Sequence, residues 1–408
     1  MASLRNQLLT TYAAEGVNLV SGLAFGIMSA RALEPAGRGV VAAVWAVVTI
    51  GMMISGLGVA KSLVSRLNDR DIQLTSSDYY GGLIVLLPVL SLIAWGIIIP
   101  FAPVFSEEAR PLLWFILILI APVMLATEFA RSVLRAQRRI YLLNGITAGA
   151  AITRVGVLGV LWYLDQASIL TVLMIETGYW MLIGVLACFA LADSLKRSPH
   201  FSNVLAVIQS LLSYGLMFQI YSILFNMVNK INIPVLSAFS GDEVTGYFAV
   251  GSRFAEYLGT FTNQILFVFV PFLAQKEDKL AAFHYGIKLT RMSVLFLVPS
   301  SLVLLAIAGW LIPFLYGEAF APSIIPFRVM VVAIIIATLF QFTGMAAVAT
   351  GKLKVVTTCA GIGLCVNVIL MFILIPRFGA IGASVAAASG HFTSLTAHLI
   401  ALKLWSEI

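Results

Sequence analysis

The chain has 408 residues, 61% of them hydrophobic and only 11% charged, with a formal net charge of +7 and a mean hydropathy of +1.01. Soluble globular proteins carry about 25% charged residues, so this apolar excess excludes a water-soluble enzyme, and 26 Phe, 12 Tyr and 7 Trp exclude intrinsic disorder. The basic residues recur in short segments between apolar runs, a pattern that orients a membrane protein and gives no sign of nucleic acid as a partner.

A membrane-crossing helix needs roughly 20 mainly apolar residues, because the hydrocarbon layer is ~30 Å thick and each residue rises 1.5 Å. Twelve such runs are predicted, at 10–32, 39–60, 80–101, 111–131, 141–164, 168–191, 211–238, 246–272, 285–312, 322–349, 355–376 and 380–404. The first follows Arg5 and ends near Ala30-Arg31-Ala32, like a secretory leader. Glu15 and Asn18 would fall inside the apolar part of such a leader, and the run is too long for one. Thr11, Glu15, Asn18, Gly22 and Ser29 instead form a polar stripe at helical spacing. The longest loop, Lys61 to Tyr79, holds Asp69-Arg70-Asp71, which resembles a glycosyltransferase metal site. So short a loop cannot supply a nucleotide-sugar domain, so a solvated charged loop is expected.

Arg154 and Glu176 lie on opposite arms of the hairpin that turns near Gln166. Their depths differ by roughly 3–4 Å, so they can pair, and an ion pair and a substrate contact are both open. The seventh run carries a stripe of Gln219, Ser222, Asn226, Asn229 and Lys230, and the eighth one of Arg253, Glu256, Thr260, Asn263 and Gln264. Counted from a turn near Asp242, Lys230 and Arg253 agree in depth to within roughly 2 Å. One such stripe reads as interhelical glue; three read as walls of an aqueous cavity, since lipid cannot satisfy them. His391 and His398 share a face of the last run, where packing or an interhelical hydrogen bond is expected before a proton relay. Cys188, Cys359 and Cys365 sit inside apolar runs, so neither a disulfide nor zinc is expected. No cofactor, metal site or catalytic set is expected, and the chain does not read as an enzyme.

The chain looks doubled. Arg38-Gly39-Val40-Val41-Ala42 opens the second run and Thr245-Gly246-Tyr247-Phe248-Ala249 the eighth, 207 positions later. Arg138 and Arg139 recur as Lys352 and Lys354, about 214 positions on. Six runs per half return the chain to the same side, which makes a parallel repeat able to rock about a central site. The expected fold is all-α and polytopic, with about twelve transmembrane helices in two six-helix lobes, 1–200 and 201–408, around a central cavity. Seventeen of the 25 Lys and Arg residues fall on the side of the N-terminus, five on the other and three inside runs. That bias places both termini in the cytoplasm.

Several motifs carry a family resemblance: Ala32-Leu33-Glu34-Pro35-Ala36-Gly37-Arg38-Gly39, Gly246-Tyr247-Phe248-Ala249-Val250, Pro313-Phe314-Leu315-Tyr316-Gly317, Ala349-Thr350-Gly351-Lys352, Asn367, and Ile375-Pro376-Arg377-Phe378-Gly379-Ala380-Ile381-Gly382-Ala383. In order and spacing these resemble the polysaccharide (O-antigen and exopolysaccharide) flippases of the multidrug/oligosaccharidyl-lipid/polysaccharide exporter (MOP) superfamily. The resemblance implies a flippase of the bacterial inner membrane. It would move undecaprenyl-pyrophosphate-linked oligosaccharide from the cytoplasmic to the periplasmic leaflet, alongside polysaccharide polymerase and glycosyltransferases. A wet cavity would shield the head group, whose hydroxyls and pyrophosphate cannot lose their water in hydrocarbon. Arg154, Lys230 and Arg253 are the candidates for the pyrophosphate, and Asn18, Gln219, Asn226, Asn229, Asn263 and Gln264 for sugar hydroxyls. Glu256 could instead be the anion between Lys230 and Arg253. Glu15, Glu176 and Glu256 are the candidates for ion coupling. A cation-coupled multidrug exporter and a lipid II flippase are the alternatives within the superfamily. A membrane polysaccharide polymerase or ligase is the alternative from another class, disfavoured by outer loops too short to hold chemistry.

Overall fold

The computed structural model describes the backbone of residues 4–67, 74–100, 110–192, 200–274, 279–349 and 351–406, and the side chains among them except 4–9, 110–117, 214, 260–285, 289, 349 and 404–406. Every regular element among the described residues is helical. Taken unbroken, seven helices among the described residues are long and apolar enough to cross a membrane, and the bent pair Val204–Ser213 and Gly215–Gly259 brings the number to eight.

Three continuous runs are too long for one crossing. Leu4–Ser55, Asn232–Ala274 and Leu353–Ser406 hold 52, 43 and 54 residues, and 43 residues of helix already reach about 64 Å. Each breaks at a single residue: Glu34 (φ 56°, ψ 178°), Gly241 (φ 83°, ψ 173°) and Gly379 (φ 52°, ψ −127°). Pro35 explains the first, because its ring disfavours helical geometry at the preceding residue. Opened at these points, the described residues hold twelve helices of more than 20 residues: 4–33, 35–55, Ser76–Ile98, Arg110–Ala136, Ile140–Tyr163, Ile169–Ala190, Val204–Lys230, 242–274, Lys279–Tyr316, Ile324–Ala349, 353–378 and 380–406. They follow the twelve predicted runs in order.

The connections differ from expectation. The predicted loop from Lys61 to Tyr79 contains most of a short helix, Val59–Arg66, and the first turn of Ser76–Ile98; Asp69, Arg70 and Asp71 lie outside the described residues. The turn near Asp242 is the one-residue break at Gly241. It is braced by Thr245 Oγ1, which donates to the Gly241 carbonyl at 2.8 Å, and by Ser237 Oγ, which donates to Asp242 Oδ1 at 2.9 Å.

The breaks expose the internal repeat. Glu34 and Gly241 share one backbone conformation 207 positions apart, the same offset as Gly39 and Gly246. Arg138 (φ 57°) is followed at 213 positions by Gly351 (φ 85°), and Asp165 (φ 54°) at 214 positions by Gly379 (φ 52°). At each site the second half uses glycine where the first half holds a side chain in left-handed geometry. Glu34 is exposed, and its strain of about 1–3 kcal/mol exceeds the entropy cost of a glycine, about 0.5–1 kcal/mol. Glu34→Gly is therefore expected to raise the thermal unfolding midpoint of the detergent-purified protein, whereas Gly241→Glu lowers it.

The chain forms two compact units, Met1–Leu33 with Val44–Gln219, and Glu34–Ala43 with Ile220–Ile408. The first is cored on Leu63, Tyr79, Leu90, Leu134 and Val207. Its Ser76–Ile98 helix starts with a capping box between Thr75 and Asp78, and Asn203 Nδ2 donates to Asp78 Oδ1 at 3.1 Å. The second is cored on Tyr221, Phe340, Val356 and Ala360.

Candidate substrate site

In the second unit, the 220–230 part of helix Val204–Lys230 and helix 242–274 bring together the charges that the sequence placed at one depth. Lys230 Nζ donates to both Glu256 oxygens, at 2.8 and 3.0 Å, and an Arg253 guanidinium nitrogen lies 3.7 Å from Glu256 Oε2. Glu256 is thus the anion between the two cations, and the cluster keeps one net positive charge. Lys230 and Glu256 are largely buried, at 21% and 20% exposure, whereas Arg253 keeps 55% of its side chain accessible. The buried pair is an anchor, and the arginine is the cation a ligand can reach.

Lys230 and Glu256 border a cavity of about 150 Å³ with Asn226, Asn229, Thr338 and Gln341. His391 Nε2 lies 3.0 Å from Asn229 Oδ1, and its ring packs 5.6 Å from that of Phe225. His398 packs against Phe340 at 5.7 Å. Thr338 and Gln341 were not singled out in the sequence, although two polar letters one turn apart in the apolar Ile324–Ala349 helix were the available signal. The cavity is smaller than the roughly 300–1,000 Å³ of ordinary ligand pockets, so by itself it suits an ion or water rather than a sugar.

The remaining stripe residues are distributed more widely. Gln219 Nε2 donates to the Met53 carbonyl at 2.6 Å, satisfying an orphan carbonyl near the C-terminus of helix 35–55. Asn226 Nδ2 turns back to the Ser222 carbonyl at 2.7 Å. In the first unit Thr11 accepts from Asn144 Nδ2 at 3.1 Å, Ser29 bonds its own helix, Glu15 is exposed, and Asn18 holds a buried Oδ1 without a hydrogen bond. The side chains of Thr260, Asn263 and Gln264 lie outside the described residues.

Arg154 and Glu176 do pair. One guanidinium nitrogen of Arg154 lies 3.1 Å from each Glu176 oxygen, and the two side chains are 11% and 17% exposed. The guanidinium also stacks 4.6 Å from the ring centres of both Phe25 and Tyr179. Those rings satisfy a cation electrostatically in a place where water cannot. The sequence reading missed them, although Tyr179 stands one helical turn from Glu176.

The arrangement is that of a polytopic all-helical membrane protein with paired charges held inside its helices. Its fold matches that of solved MOP-superfamily structures. Lipid II flippase MurJ in an inward closed conformation superposes with a TM-score of 0.74 at 13% identity, over 97% of this chain and 87% of that one. A multidrug resistance MATE family transporter in an inward-facing conformation gives 0.63 at 14% identity, over 97% and 94%. The Vibrio cholerae MATE transporter VcmN in its bent form gives 0.55 at 15% identity, over 98% and 97%. No curated protein matches the sequence. Residues 28–325 match the family described as polysaccharide biosynthesis protein, and the chain belongs to that family.

Proposed function

We propose that this protein flips undecaprenyl-pyrophosphate-linked oligosaccharide from the cytoplasmic to the periplasmic leaflet of the bacterial inner membrane. The repeat units would serve O-antigen, capsule or exopolysaccharide assembly. The two halves, 1–200 and 201–408, act as the lobes of an alternating-access cycle, with both termini in the cytoplasm as the Lys and Arg bias requires. One observation carries the reading within this family: Arg253 is a largely accessible guanidinium beside a neutralised Lys230–Glu256 pair, so the site holds a net positive charge aimed at an anion. A guanidinium fork grips phosphate oxygens in pairs. Lys230 holds the neighbouring Glu256 in place through both carboxylate oxygens. Because Glu176 and Glu256 each hold a cation, the exposed Glu15 is the carboxylate left for a proton-loading role. Polymerase and glycosyltransferases are the partners this role calls for.

Arg253→Ala is expected to lower surface polysaccharide about tenfold or more at normal membrane levels, the loss of one strong charge-assisted contact. Arg253→Lys is expected to be impaired as well, because it keeps charge but loses the fork. Wild-type polysaccharide in both variants overturns the assignment.

A further inference from the structure

A carboxylate inside a membrane helix needs a counter-ion, since its charge is costly away from water. In many membrane cavities that counter-ion is exchangeable, a proton or an alkali cation. Glu256 has the surroundings for one: a cavity of about 150 Å³, with the neutral polar side chains of Asn226, Asn229, Thr338 and Gln341 around it. Here, however, both of its oxygens are taken by Lys230 Nζ, at 2.8 and 3.0 Å. Asn229 Oδ1, the oxygen a metal ion would need, lies instead 3.0 Å from His391 Nε2. Arg253, also a cation, lies 3.7 Å from the same carboxylate. Helix Ile324–Ala349 contributes uncharged Thr338 and Gln341, and helix 380–406 reaches the cavity through Asn229 with His391. Among the described lining residues, Glu256 is the single acid.

We propose that the Glu256 carboxylate at the edge of this cavity is a monovalent-cation site whose occupant is the chain's own Lys230 ammonium. The tethered cation makes the second unit independent of external sodium, and Lys230 is the residue that determines this. A fixed ammonium binds at no loss of translational freedom and cannot be diluted away, so an exogenous ion gains no differential affinity for either state of the protein. Removing the ammonium opens the carboxylate oxygens that face the cavity to a sodium ion or a proton, with Arg253 left 3.7 Å from one of them.

The proposal rests on the ion pair and the cavity, and its test involves no lipid-linked sugar, so it stands or falls separately from the flippase reading. Thermal unfolding of the detergent-purified protein is compared in sodium chloride and N-methyl-D-glucamine chloride at equal ionic strength. Wild type and Lys230→Arg are expected to melt at the same temperature in both salts. Lys230→Gln is expected to gain a saturable stabilisation of several degrees by sodium or by acidification, as a ligand selective for the folded state produces. The double variant Lys230→Gln with Glu256→Gln is expected to lose both responses. A saturable sodium stabilisation of wild type that Glu256→Gln removes overturns the proposal, as does a Lys230→Gln protein indifferent to both sodium and pH. If Lys230→Gln does not accumulate, the sodium titration of wild type against Glu256→Gln decides the matter alone.

Discussion

Replacing Gly39 or Gly246 by alanine is expected to destabilise the second unit by about 1–3 kcal/mol, the cost of overpacking a close contact. A Cβ on Gly39 would overlap the Asp242 carbonyl oxygen and stand 2.7 Å from its carbon and 2.9 Å from the Gly246 nitrogen. A Cβ on Gly246 would overlap the Pro35 carbonyl oxygen and stand 2.8 Å from that carbon. Ordinary C–H···O contacts need about 3.3–3.6 Å. The obstacles are backbone on both sides, so no side chain can rotate away, and the two helices must separate. The contact is reciprocal: each glycine sits over the carbonyl four residues before the other, and Pro35 and Asp242 are themselves 207 positions apart. Because either substitution breaks the same contact, the double variant is expected to cost little more than one. Gly26→Ala, whose Cβ meets nothing within 4 Å, is the control and is expected to be neutral or stabilising. Melting temperatures of the four proteins read the result directly; full additivity of Gly39→Ala and Gly246→Ala would show that the two glycines do not share a contact.

Removing Arg154 should have the larger effect in the first unit. Arg154→Leu leaves Glu176 as a mostly buried carboxylate without its partner, which costs about 3–5 kcal/mol in comparable buried pairs. It also removes the cation between the Phe25 and Tyr179 rings. Arg154→Leu combined with Glu176→Leu is expected to recover most of that loss, because a matched apolar pair carries no desolvation penalty. A double-mutant cycle measures the coupling, and a coupling near zero would mean the pair is already hydrated. If the double variant is as stable as wild type and still supports surface polysaccharide, the pair is structural. If it folds but transport fails, Arg154 has a second role toward substrate.

The depth of these charges was legible in the sequence because it follows from a fixed rise of 1.5 Å per residue counted from a turn. Arg154 with Glu176, and Lys230 with Arg253 and Glu256, were placed within reach of one another in that way, and the helices bring them together. The polar stripes were also visible, as azimuth on a helix is local information. What a stripe residue touches was not. Gln219 is consumed by a carbonyl 166 positions earlier, and Asn229 by a histidine 162 positions later. Residues that looked alike on one helix therefore divide into structural bonds and a cavity wall.

By itself, then, the sequence determined the solvent, the helix count, the repeat offset and the depth of each buried charge, because hydropathy and helical rise act along one dimension. Tertiary structure alone decided that single residues at Gly241 and Gly379 replace loops, that Thr338 and Gln341 complete the cavity, and that Lys230 belongs to Glu256 while Arg253 stays accessible. Those outcomes depend on which helices, distant in the chain, pack side by side. A buried polar group takes the nearest partner that packing supplies, and no one-dimensional pattern records which partner that is.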